Sequence, residues 1–305
     1  MTTAIWGIDL GGTKIEGIIL PSLTNPQPLF RKRIATEAEK GYRHIVAQIV
    51  LLVNQMIGES GLRPKRIGIG TPGVLDPVLQ TMKNCNSTAL NGNPLKTDLE
   101  KELGIPVVLA NDANCFALAE THWGAIKQEV PDARLVFGII MGTGVGGGIV
   151  HNGQIWNGKH GIAGEWGHIF LDESGGPCYC GRSGCVETVL SGPSLQRYYF
   201  SLCQQEKTLK QIVELAEAGE AAAVATMERL HMFFGKAVSI LTNLLDPDAI
   251  VVGGGVGNIA SIYTRGRASL EKFIFNNRLD TPVLSPSLGD SAGVFGAAAL
   301  VADQN

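Results

Sequence analysis

The chain has 305 residues, 45% of them hydrophobic and 17% charged, with a formal net charge of −3. That is enough apolar material for a sizeable core and, at this length, for two lobes. The faint acidity and the lack of any Lys/Arg-rich run exclude a nucleic-acid or anionic-membrane surface. No apolar stretch approaches a membrane span, and MTTA runs straight into a strand-like segment without leader features, so a cytoplasmic protein is expected. Cysteine usage agrees: Cys85, Cys115 and Cys203 are scattered, while Cys178, Cys180 and Cys185 cluster at metal-ligand spacing. Many of the 39 glycines concentrate in three short loops, a pattern suited to backbone approaching phosphate.

In chain order, IWGIDLGGTKIEGIIL (5–20) predicts two apolar strands joined by a Gly-Gly turn, with Asp9 near the end of the first and Thr13-Lys14 past the bend. Ile45, Ile49, Leu52, Val53 and Met56 recur at helical spacing and predict a helix over 40–60, ending near Gly58 and Gly61. RIGIG (66–70) reads as a strand entering the turn Thr71-Pro72-Gly73. The loop KNCNSTALNG (83–92), with Asn86, is rich in short polar side chains that reach hydroxyls. A short helix over 95–103 and a strand over 107–110 then deliver Asn111-Asp112 to a strand's carboxyl end, where α/β sheets place ligands.

The second half repeats the opening. LVFGIIMGTGVGGGIVHNGQIW (135–156) is again strand, Gly-rich turn, strand, which makes it a duplicated phosphate-handling element. Helices are predicted over 206–218 and 222–245, the second carrying Met227, Leu230, Phe234, Ala237, Leu241 and Leu244 on one face before Asp246-Pro247 stops it. A strand over 249–252 meets Gly253-Gly254-Gly255, followed by a helix through about 275 and a last Ala/Gly-rich helix over 292–301. The expected lobes are residues 1–112 plus 292–305, and 113–291 with a zinc loop.

GTGVGGG matches a loose Gly-x-Gly-x-x-Gly pattern, but a strand follows it rather than the helix that a dinucleotide site needs, and no GxxxxGK[ST] exists. Two Gly/Thr hairpins, carrying Gly11, Gly12 and Thr13 in one and Thr143 and Gly144 in the other, instead offer N–H groups and hydroxyls to a triphosphate from both sides. Asp9 beside Gly11-Gly12 fits a Mg²⁺–water ligand, since Mg²⁺ takes few carboxylates beside substrate phosphates. Lys14 suits either phosphate or solvent. Asp112 suits both a helix N-cap and a general base for a hydroxyl proton, with Asn111 orienting the same substrate.

The densest chemistry is in residues 164–187, GEWGHIFLDESGGPCYCGRSGCVE. His168, Cys178, Cys180 and Cys185 supply the four ligands of a closed, structural Zn²⁺ site with no open position for water. Glu165 and Glu187 bracket that rigid loop and suit hydroxyl acceptance from a sugar. His122, His151 and His160 read as surface or loop residues, and Trp156 as core.

With those residues laid out, the chain resembles the ROK family of bacterial sugar kinases and repressors over nearly its full length. The motifs are GIDLGGTKIEG (7–17), GIGTPG (68–73), NDANCFALAE (111–120), GTGVGGGIV (142–150), GEWGH (164–168), CYCGRSGCVE (178–187) and DPDAIVVGGG (246–255). The resemblance implies an α/β, actin/hexokinase-type (ribonuclease H-like) fold with two lobes around a central cleft, and phosphoryl transfer from ATP with Mg²⁺ to a hexose hydroxyl. It implies Asp112 as catalytic base and Gly73, Asn111, Glu165, His168 and Glu187 as sugar contacts. Gly12, Thr13, Thr143 and Gly144 would attend the phosphates, and Gly254 the nucleoside. His168 would serve both zinc and sugar. Family repressors carry a helix-turn-helix segment before the first hairpin; only six residues stand there in this sequence, so no nucleic-acid partner is expected. The loop at 83–92 looks most like the fructokinase and mannokinase branch, which makes fructose or mannose the expected sugar. Glucokinase, N-acetylglucosamine or N-acetylmannosamine kinase and, from another class, a non-catalytic sugar sensor are the alternatives. The family usually forms dimers or tetramers, so a homodimer or homotetramer is expected.

Overall fold

The computed structural model describes residues 4–302. The chain divides into two compact units, residues 1–127 with 153–163 and 288–305, and residues 128–152 with 164–287. The first unit is larger than the expected 1–112 plus 292–305, and packing explains why. Helix Asp112–His122 lies directly against the final helix, Ala292–Ala299, so closely that a Cβ on Gly296 would fall 1.8 Å from the Cys115 carbonyl oxygen. Buried Glu120 joins the segment that leaves the first helix to the one that enters the second, accepting from Ala125 N (2.7 Å) and Leu288 N (3.0 Å).

In the first unit, strands Ile5–Leu10 and Lys14–Leu20 form the expected antiparallel hairpin, flanked by Phe30–Ala35 on one side and by the parallel strands Ile67–Thr71 and Val107–Asn111 on the other. One face of the sheet packs on helix Tyr42–Ser60 through Ile45, Ile49, Leu52, Val53 and Met56; the helix stops where Gly61 takes a left-handed conformation (φ 69°). The other face receives the final helix at backbone distance: Cβ atoms on Gly7 and Gly68 would lie 2.4 Å from Ala298 N and 1.8 Å from Ala297 O. The Ala/Gly content of that helix is what this approach requires.

The second unit repeats the plan. Strands Leu135–Met141 and Val145–His151 pair antiparallel, and Leu135–Met141 is joined in parallel by Ala249–Gly253, which in turn pairs with Val283–Leu284. The 25-residue helix Ala221–Leu245 buries Met227, Leu230, Phe234, Ala237 and Leu241, but Leu244, one turn beyond, is 77% exposed. After Gly253 the chain does not run as one helix to 275. It makes a short turn at Gly254–Gly257, a 3-10 turn at Ala260–Ile262 and a short helix Arg265–Leu270, because Ile259 takes extended backbone (φ −78°, ψ 106°) and interrupts the helical run. Two further helices, Val186–Leu190 and Gly192–Cys203, follow the cysteine loop. No helix of the described residues is long and apolar enough to cross a membrane.

Candidate active site

In the first unit, strand register gathers the candidate residues at one edge. Asp9 pairs with Gly70, and Thr71 with Asn111, so three neighbouring strands present Asp9, Thr71 and Asn111-Asp112 at their carboxyl ends. Room for the Asp9 carboxylate is made by two glycines: a Cβ would fall 3.5 Å from Asp9 Oδ1 at Gly70 and 3.1 Å from its carboxyl carbon at Gly293. Desolvation by burial, followed by the fields of Asp112 and Glu16, pushes Asp9 up to about 6 against the opposing Lys14 and Arg33. Lys14 thus lies within electrostatic reach of Asp9. The hairpin turn is closed by Gly11 N donating to Lys14 O (3.0 Å) and braced by Thr36 Oγ1 donating to Gly11 O (2.7 Å), which leaves Gly12 and Thr13 exposed at the tip.

Asn111, rather than Asp112, is the N-cap of helix Asp112–His122: its Oδ1 accepts from Ala113 N at 2.9 Å, and Asp112 Oδ1 accepts from the same N–H at 2.7 Å. Asp112 is the first helical residue and is exposed. Gly73 backs onto the loop 83–92 so tightly that a Cβ would meet Cys85 Sγ at 2.4 Å, while Thr71 Oγ1 donates to Gly73 O (2.8 Å). Asn86 N donates to Pro72 O (3.2 Å), and Ser87 Oγ comes within 3.7 Å of the Cβ position on Gly12. Gly73, Asn86, Asn111 and Asp112 therefore share an edge with the hairpin tip.

The second unit holds the rest. Residues 177–183 form a knuckle in which Cys178 N donates to Arg182 O (2.7 Å) and Gly181 turns at φ 85°; this tight turn lets a Cys-x-Cys pair converge. One ligand atom from each of His168, Cys178, Cys180 and Cys185 lies within 4.8 Å of the other three. Cys178 Sγ is 3.6 Å from His168 Nδ1, and Cys180 Sγ is 3.6 Å from Cys185 Sγ. Ligands on a tetrahedral ion with bonds of about 2.0–2.3 Å stand at such separations, so the donor set fits zinc. Burial pushes the Cys185 thiol up to about 12, a proton that metal binding would have to displace.

Glu165 is raised above the usual carboxylate range, first by burial, with Glu187 adding and His168 opposing. Glu187, in the first turn of Val186–Leu190, does something the spacing did not suggest: its Oε2 accepts from Val145 N at 2.9 Å and would lie 2.7 Å from a Cβ on Gly144. It clasps the second glycine turn. Beside that turn, a cavity of about 830 Å³ is lined by Gly142, Thr143, Gly192, Gln196, Leu209, Val213, Gly255, Asn258 and Ile259, among others. Gly254, next in the chain to the lining residue Gly255, sits at φ 84°, and a Cβ there would fall 2.3 Å from Met141 O. The walls supplied by helices Gly192–Cys203 and Leu209–Glu217 carry no motif, and only their amphipathic pattern beside a glycine turn could have flagged them. His151 and His160 are exposed; His122 is half-buried against Gly153 O (3.0 Å). Trp156, expected in the core, is 51% exposed.

The ROK family profile matches residues 5–304. The chain is 35% identical to an N-acetyl-D-glucosamine kinase of Aliivibrio salmonicida, over 97% of this chain and 98% of that one. Among solved structures it superposes on a ROK hexokinase from Thermus thermophilus with a TM-score of 0.85 at 30% identity, covering 98% of this chain and 97% of that one. A ROK family glucokinase from Streptomyces griseus, solved with glucose and AMPPNP, gives a TM-score of 0.78 at 30% identity over 97% and 98% of the two chains. The duplicated hairpin-and-parallel-strand plan, the four-ligand knuckle and these matches lead to one conclusion: the chain belongs to the ROK family and has its actin/hexokinase-type fold.

Proposed function

We propose that the chain is an ATP-dependent sugar kinase that transfers the γ-phosphoryl group to the 6-hydroxyl of a hexose, with N-acetyl-D-glucosamine as the leading substrate. The observation that carries the kinase reading is the exposed Asp112 carboxylate beside the mostly buried Asp9 at one sheet edge. The choice of sugar draws on the relatives, which are N-acetyl-D-glucosamine kinases. It replaces the fructose or mannose expected from the loop at 83–92. That loop, seated against Gly73 and the hairpin tip, keeps fructose and mannose as a second reading.

In this reading Asp112 accepts the proton of the 6-hydroxyl as its oxygen attacks the γ-phosphorus, and the bond to the bridging oxygen of ADP breaks. Asn111 fixes the acceptor by holding the start of the helix that carries Asp112. Gly73, Asn86, Glu165, His168 and Glu187 bind sugar hydroxyls. Gly11, Gly12, Thr13 and Lys14, with Thr143 and Gly144, attend the phosphates, and the cavity beside Gly254 takes the adenosine. Positioning and electrostatics supply the rate, since phosphoryl transfer asks little covalent chemistry of the protein.

Two metals are implied. An ionised Asp9 lies in the negative fields of Asp112 and Glu16, which fits Asp9 as the outer ligand of nucleotide-bound Mg²⁺, where the ion would neutralise phosphate charge. Zn²⁺ on His168, Cys178, Cys180 and Cys185 would supply a rigid cross-link and no reacting group.

A coupled ADP-release assay with ATP over N-acetylglucosamine, N-acetylmannosamine, glucose, mannose and fructose tests the proposal. N-acetylglucosamine should give the highest kcat/KM. A higher value with fructose or mannose moves the assignment to the second reading, and no release with any sugar leaves the non-catalytic sensor.

A further inference from the structure

His168 has two ring nitrogens with different partners. Nδ1 lies 3.6 Å from Cys178 Sγ, on the metal side, and Nε2 lies 2.9 Å from the hydroxyl of Tyr179. A neutral imidazole that gives Nδ1 to a metal carries its proton on Nε2, so in the zinc-loaded protein Nε2–H donates to the phenol oxygen. The two rings meet edge to face, with centroids 5.0 Å apart and planes at 87°. Tyr179 is otherwise 74% exposed; its anchors are the backbone between two cysteine ligands and this one hydrogen bond. The fields of Glu187 and Glu165 both reach the phenol, which sets it at the carboxylate wall proposed to bind sugar.

We infer that Tyr179 is an affinity-setting residue that competes with the sugar for the Nε2–H of His168. The inference rests on the reading of His168 as a sugar contact. One imidazole N–H makes one good hydrogen bond, so a sugar hydroxyl reaches it only after the phenol has left. The exposed ring can leave without uncovering core. Tyr179 is therefore a positioning residue acting through His168: it keeps the ring in its metal-compatible tautomer while the pocket is empty, and it sets a threshold that an incoming hydroxyl must beat.

The test is Tyr179→Phe, which keeps the edge-to-face ring and removes the competing oxygen, with Tyr179→Ala as a second variant. Sugar binding is measured by calorimetry without nucleotide, using N-acetylglucosamine, glucose, mannose and fructose, alongside steady-state kinetics and zinc per chain. Removing one net hydrogen bond from the empty state should tighten the Kd of the accepted sugar roughly threefold to tenfold in both variants. KM should fall in step, while kcat and zinc content stay as in the unaltered chain. Unchanged or weaker sugar affinity, or loss of zinc from Tyr179→Phe, overturns the role assigned to Tyr179. If the unaltered chain binds none of the four sugars, the sugar reading of His168 falls and takes this inference with it.

Discussion

The hairpins that open the two units follow the same path and differ in charge. In the first, the position paired with the parallel neighbour's glycine is Asp9, opposite Gly70; in the second it is Ile140, opposite Gly253. The first turn thus carries its own half-buried carboxylate, held between glycines and lifted by desolvation. The second has none and borrows Glu187 from a helix fixed by the cysteine knuckle. In the proposed reading one backbone element serves two jobs, a charged edge suited to the reacting hydroxyl and metal, and a turn with no carboxylate of its own suited to close backbone contact with a nucleotide. Damage to the first should therefore act on turnover, and damage to the second on affinity.

The sharpest way to break that contrast is Asp112→Asn, which should keep fold and sugar binding yet lower kcat by a factor of roughly a hundred or more; near-normal turnover would remove the base from the charged edge.

Asp9→Asn comes next, with a loss of about tenfold to a hundredfold in kcat/KM for Mg-ATP. It has a second signature. Because folding raises the Asp9 pKa from 3.8 to about 6, the folded state binds the extra proton between those values, and stability from this group falls as pH rises through that window. In unliganded protein above pH about 6, Asp9→Asn should thus raise the melting temperature, by the equivalent of about 1–3 kcal/mol, with the gain fading toward pH 4. Activity of the unaltered chain should decline below pH about 6 as Asp9 takes up its proton. A melting curve for Asp9→Asn that tracks the unaltered chain at every pH would show that the carboxylate is not strained in the empty site.

At the second turn, Gly144→Ala puts a Cβ 2.7 Å from Glu187 Oε2 and should raise KM for ATP several-fold to about tenfold with kcat largely kept. An equal fall in kcat would mean that the two turns are not divided as described. The smallest effect on chemistry is expected from Cys180→Ser or strong chelation, which should release about one zinc per chain, lower the melting temperature and weaken sugar binding together. Protein that contains no stoichiometric zinc as purified would end the metal reading of the knuckle.

Both hairpins were legible because Gly-Gly or Gly-x-Gly between β-rich apolar runs permits few alternatives, and the knuckle because three cysteines at that spacing rarely serve packing. Strand Phe30–Ala35 escaped because the edge position lets Arg31-Lys32-Arg33 stand where a strand would show apolar residues; Arg31 and Arg33 both pair with the buried Glu16 of its neighbour. Helix Gly192–Cys203 was hidden by Gly192-Pro193, which resembles a break, yet Ser191 caps it and proline is tolerated in a first turn. The capping exchange between Asn111 and Asp112 turns on one residue of register, which propensity cannot resolve. The cavity walls beside the second glycine turn, such as Gln196 and Asn258, come from tertiary assembly and have no local signature. The Glu187 clasp on Val145 links residues 42 positions apart and is a property of the packed unit alone.

The backbone-close seat of helix Ala292–Ala299 on Gly7 and Gly68 also has a biosynthetic consequence. A nascent chain emerging from the ribosome completes every strand of its first sheet by residue 111, but the helix that covers one face, Ala292–Ala299, follows only after the whole second unit. Until then that face offers glycine-lined apolar backbone to its surroundings. The second unit, residues 128–152 with 164–287, is fully synthesised before that helix, so the first sheet waits for its cover while the second unit can already fold.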